Sequence, residues 1–144
     1  MATSERHFDA SPAEVFRALT DAERYPQWLV GARVVDVNDR RWPRPGSSFD
    51  HQVGAGPVTV ADSTVVTGNE PNHRFDLVVR ARPFLEADVH FVLTPHEGGT
   101  LLTMEESPRG LFKLAAPLIA PMVRVRNDRS LQHLADLIDG RPSG

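Results

Sequence analysis

The sequence predicts an α+β fold in which one antiparallel sheet is covered by a long C-terminal helix, and three observations carry that prediction. Strand-length runs rich in Val, Thr and Phe follow one another from Ala32 to Ser107, separated by turn residues. From Leu111 to Ile138 the apolar residues return to a helical repeat. No linker, repeat or low-complexity tract divides residues 1–144, so the chain reads as a single domain and the sheet must bury its apolar face against that helix.

The elements follow in order. "SERHFDA" (4–10) alternates as a first strand. In "SPAEVFRALTD", Ser11 can cap a helix, Pro12 suits its first position and Glu14 completes a capping box. "DAERYPQWLVG" contains Pro26 and stops at Gly31, which predicts a second, short and broken helix. Six strands follow: "ARVVDVNDR", "SSFDHQVG", "VTVADSTVVTG", "RFDLVVRAR", "LEADVHFVLT" and "TLLTMEES". Turn-rich "RPGS", "GAGP", "NEPNH", "RP" and "PHEGG" punctuate them. The terminal helix ends before "GRPSG". It carries Pro117 and Pro121, which either bend it or mark a loop before a shorter helix starting near Pro121.

Composition excludes several function classes. A hydrophobic content of 40%, a charged content of 24% and a net charge of -3 describe a globular chain, neither disordered nor a polybasic nucleic-acid binder. With no cysteine, thiol redox chemistry and thiolate metal sites are out, and a reducing cytoplasm is the expected location. The N-terminus has no secretory pattern, and the run from Leu111 to Val123 is too short and too broken for stable membrane insertion. There is no Gly-x-Ser-x-Gly elbow, phosphate loop or dinucleotide loop. "HEGG" (96–99) has no second histidine at zinc-helix spacing and reads as a tight turn. Arg124, Arg126 and Arg129, offset by Asp128, read as a solvated helix face. No cofactor and no metal is expected.

"SPAEVFRALTDAERYPQWLVG" resembles the opening of the START-like helix-grip superfamily (SRPBCC), which includes polyketide cyclase/dehydrase and Bet v 1-like proteins. In that family an Ala/Ser-Pro-x-x-Val-aromatic helix start precedes a Tyr/Pro-x-Trp motif. "NEPNHRFDLVV", "HFVLTPHEGGTLLTMEE" and the terminal helix continue the resemblance over nearly the whole chain. It implies a curved seven-stranded antiparallel sheet gripping the helix, with an apolar cavity between them. The matching motifs cap and pack; none is catalytic, and the fold alone does not choose among carriers, receptors and enzymes.

Alternation nominates the cavity lining. Phe75, Leu77, Val79 and Ala81 share one parity, as do Ala87, Val89, Phe91 and Leu93. Leu102, Met104 and Glu106 share another, and Phe49, His51 and Val53 a fourth. "VTVADSTVVT" has apolar residues on both parities and cannot be oriented. On the helix, Ile119, Val123, Asn127, Leu131, Leu134 and Ile138 form one stripe. The ligand-contact set is therefore Trp28, Phe49, His51, Phe75, Leu77, Phe91, Met104, Glu106, Met122, Val123 and Asn127. His51 can orient a ligand or act as a base, or be a hydrogen-bonded or edge-exposed structural histidine. Glu106 can be a proton-holding acid in the cavity or a solvated strand end. Trp28 and Met104 also suit plain core, and Asn127 can bond to backbone instead.

Binding of a small hydrophobic molecule, of lipid, polyketide or aromatic type, is the expected function. A cyclase/dehydrase-type enzyme using His51 or Glu106 is the alternative. A homodimer is left open.

Overall fold

The computed structural model describes residues 2–83 and 85–140. Seven strands form one curved antiparallel sheet in the order β1-β7-β6-β5-β4-β3-β2. They are β1 (Ala2–Phe8), β2 (Ala32–Asp36), β3 (Ser48–Ala55), β4 (Val58–Glu70), β5 (Arg74–Ala81), β6 (Leu85–His96) and β7 (Gly99–Pro108). Helix α1 (Pro12–Thr20), a 3-10 turn (Ala22–Arg24) and α2 (Tyr25–Trp28) lie between β1 and β2. A 3-10 segment (Gly110–Ala115) leads into α3 (Ala116–Asp139), which packs against β1, β7, α1 and α2.

Local chemistry accounts for the helix boundaries. The Ser11 hydroxyl accepts from the Glu14 backbone N–H at 3.2 Å, Pro12 opens α1, and Gly140 closes α3 with φ +72°. Pro26 sits in the first turn of α2, where its missing N–H costs nothing.

Alternation orients β3, β5, β6 and β7 as expected. Phe49, Phe75, Leu77, Ala87, Val89, Phe91, Leu93, Leu102 and Met104 are all buried in the core between sheet and helices. β4 follows a rule that periodicity alone does not reveal. Its pairing with β5 slips between Val66 and Gly68, so Thr64 and Val66 point inward before the bulge and the parity then changes.

Three of the boundaries that differ from expectation have a clear cause. β1 starts at Ala2 because it pairs with β7 out to Glu106. β2 ends at Asp36, since Asp39 turns the chain by accepting from the Arg41 and Ser48 backbone N–H groups. α3 begins at Ala116, so Pro117 lies in its first turn while Pro121 lies inside it. A helix starting near Pro121 is thereby corrected: the first-turn positions need no donor, and only the Pro117 carbonyl loses a partner to Pro121.

Candidate functional site

Between the N-terminal half of α3 and the β1–β7 edge of the sheet lies an almost wholly apolar cavity. Ala2, Glu106 and Pro108 line it from the sheet, and Ile119, Ala120 and Val123 from the helix. Its volume is about 10 Å³, room for roughly one water molecule. A drug-sized ligand needs about 300–1,000 Å³, far more than the cavity encloses in this structure. The wall with the fewest ties is α3 before Val123. The side-chain bonds that tie the helix to neighbouring elements begin beyond it, where the Arg124 carbonyl accepts from Ser4, Arg126 reaches Glu106 and Ser130 meets the Val30 N–H.

One polar cluster adjoins the cavity through Glu106. Glu106 is 5% exposed, and its Oε1 accepts from Arg126 Nη2 at 2.5 Å and from Asn127 Nδ2 at 3.3 Å. Asn127 is fully buried, and its own oxygen accepts from Arg126 at 3.3 Å. The carboxylate is thus held in a partly buried ion pair with every member bonded, which is how such a charge is tolerated indoors. The 5% exposure corrects the solvated strand end, and the Glu106 carboxyl that reaches the cavity is already bonded to Arg126 and Asn127.

His51 presents a different chemistry. It is buried on the concave face, and neither ring nitrogen has a hydrogen-bond partner; the Ser63 backbone approaches without reaching bonding geometry. Burial pushes its pKa below the ordinary histidine value and keeps the imidazole neutral near pH 7. Aromatic edges surround it: Phe49 packs against His51 at 5.8 Å between centroids, Tyr25 against Phe49 at 5.6 Å, and Trp28 against Tyr25 at 5.4 Å. The Trp28 indole N–H is also buried without a partner. On the same face Asp62 stands opposite His51, its carboxyl held well below the usual range by Arg82.

These two polar centres are not one site. Pairing runs from β3 through β4, β5 and β6 to β7, so four strand steps separate His51 from Glu106 in the sheet.

A sequence profile described as polyketide cyclase / dehydrase and lipid transport matches residues 2–139. The chain belongs to this family. Solved structures share the fold at low identity. Protein CV1439 from Chromobacterium violaceum is 20% identical, with 95% of each chain covered and a TM-score of 0.75. Protein MLL2253 from Mesorhizobium loti is 23% identical, with 98% of each chain covered and a TM-score of 0.70. Ara h 8.0201 is 11% identical, with 96% of this chain and 97% of that chain covered and a TM-score of 0.76. The sequence has no significant match among curated proteins. Among the described residues no helix is long and apolar enough to cross a membrane.

Within this helix-grip frame the nominated residues fall into three places. Glu106 and Val123 line the cavity, and Asn127 bonds to Glu106. Trp28, Phe49, His51, Phe75, Leu77, Phe91 and Met104 lie in the packed interior, none of them on that cavity. Met122 does not face inward at all: it is 73% exposed, because one step from Val123 turns it onto the outer face with Leu118 and Val125. Arg126 was missed as a site residue. It lies three residues after Val123 and beside Asn127, so the stripe spacing itself places it at the sheet-facing edge, and the neighbouring Asp128 disguised it as surface charge.

Proposed function

We propose that this family member binds a small apolar molecule beneath the N-terminal half of α3, with a polar end of the ligand directed to Glu106, Arg126 and Asn127. The observation that carries the reading is the convergence of an apolar lining on one bonded polar cluster, the arrangement by which concave sites take up and orient small ligands. Ala2, Ala116 and Ala120 are small, so little side-chain bulk has to be displaced. Outward movement of α3 before Val123 enlarges the space, and Pro121 lowers its cost by removing one helical bond there. Native mass spectrometry of the purified protein tests this directly. A co-purifying or added apolar molecule held at one per chain supports it; no retention across fatty acyl, sterol and polycyclic aromatic probes refutes it.

A second reading rests on His51. A buried neutral imidazole with both nitrogens unpartnered can take a proton from a bound enol or carbonyl compound, which is cyclase/dehydrase chemistry. Turnover of polyketide-like aromatic precursors that falls about a hundredfold in His51→Gln, with apolar binding retained, favours it. Turnover unaffected by that change, or absent throughout, leaves the carrier reading.

A further inference from the structure

We propose that His7, His96 and Glu97 form a binding site for a late first-row divalent cation of the zinc class, on the outer end of the sheet and apart from the apolar cavity. His7 Nδ1 and His96 Nδ1 stand 3.2 Å apart, and one donor atom from each of the three residues lies within 4.8 Å of the others. Two zinc–nitrogen bonds of about 2.0–2.1 Å at a tetrahedral angle put the nitrogens about 3.3–3.4 Å apart, so the imidazoles already hold the spacing of a shared ion. Two nitrogens and one carboxylate oxygen leave a fourth position open to water, and this donor set suits zinc, nickel or copper over magnesium.

The fold assembles the three from distant sequence. His7 lies near the end of β1, and His96 and Glu97 lie at the β6–β7 hairpin. β7 separates β1 from β6, yet the residue opposite His96 is Gly99. With no side chain there, the two imidazoles meet across the strand at 5.3 Å between centroids. A Cβ at Gly99 would stand 2.0 Å from the Phe8 carbonyl oxygen, so glycine is required at the crossing. The hairpin turn has Glu97 at φ +49° and Gly98 at φ +78°, a two-residue turn whose first position ordinarily goes to Asn, Asp or Gly. Glu97 at that position brings a carboxylate to the two imidazoles. Asp9 supplies the outer support: its Oδ1 lies 3.4 Å from His7 Nε2, which favours the proton on that nitrogen and leaves Nδ1 bare for a metal. Sequence spacing offered no second histidine after His96, because its partner arrives from β1.

Without metal, the same spacing suits an N–H donated from His96 Nδ1 to His7 Nδ1. Coordination requires His96 to carry its proton on Nε2 instead, with no net proton change. Calorimetric titration of the full chain with zinc chloride, and separately with magnesium chloride, decides the matter. The expected result is one zinc per chain and no magnesium binding. His7→Ala and His96→Ala should each abolish zinc binding, Asp9→Asn should weaken it about 10–100-fold, and His73→Ala should leave it unchanged. Circular dichroism on each exposed-site variant checks that the fold persists. Absence of zinc binding by the parent, or undiminished binding by folded His7→Ala and His96→Ala, overturns the proposal.

Discussion

The two halves of α3 are built for different purposes. From Asn127 onward the helix buries Asn127, Ser130, Leu131, Leu134 and Ala135 and is stitched to neighbouring elements at Ser130. From Ala116 to Val123 no residue is fully buried; Leu118 and Met122 are 81% and 73% exposed, and Pro121 deletes a helical bond. One continuous helix therefore has a part that holds the fold and a part that only roofs a cavity. The bonded, buried part and the cavity-lining part are thereby separate stretches of one element, so a change in either should have small effect on the other.

The largest test of that division is a pair of truncations. Leu134→Ala removes a fully buried side chain and should cost about 2–5 kcal/mol of stability. Leu118→Ala, on the exposed face, should stay within about 0.5 kcal/mol. Denaturant midpoints at constant m-value measure both; equal losses would erase the contrast.

The contrast was only partly legible in the sequence. Period-two alternation placed Phe75, Leu77, Phe91 and Met104 correctly, because one face of each strand is buried and the pattern must match the pleat. The capping signal at Ser11 was equally local and equally sound. β4 defeated the same method, since one bulge at residue 67 exchanges the faces midway. In α3 the stripe from Ile119 to Ile138 was readable, whereas the bond from Arg126 to Glu106 depends on tertiary approach across 20 residues of sequence. How little space the cavity encloses was also beyond periodicity, which reports direction and not distance.

An intermediate effect concerns pH and the fixed part of the interior. Burial lowers the pKa of His51 in the folded protein, so the unfolded chain binds the proton more readily. The neutral-histidine contribution to stability is then complete above the unfolded value of about 6.5 and is lost as pH falls through it toward the lower folded value. His51→Phe removes that titration. Denaturation at about pH 7.5 and about pH 5.5 should show a steeper loss on acidification in the parent than in the variant. The same loss in both would assign it to other groups. Asp62, held low by Arg82, has its window below the usual carboxylate value and does not interfere.

A smaller effect is expected at the roof itself. Pro121→Ala restores a donor to the Pro117 carbonyl and stiffens the first half of α3, so uptake of an apolar fluorescent probe should slow by about a few fold while global stability changes little. Stopped-flow mixing reads the rate; an unchanged rate with an unchanged midpoint would mean that the prolines play no part in access.

The most direct measurement of the central claim is a probe titration comparing the two faces of this half-helix. Ala120 lines the cavity, and Leu118 faces solvent on the same turn. The account predicts saturable binding of one apolar probe per chain in the parent, preserved in Leu118→Phe and weakened about tenfold or more in Ala120→Phe, where the added ring occupies the ligand's space. Undiminished binding in a folded Ala120→Phe, or no saturable binding in the parent, would contradict it.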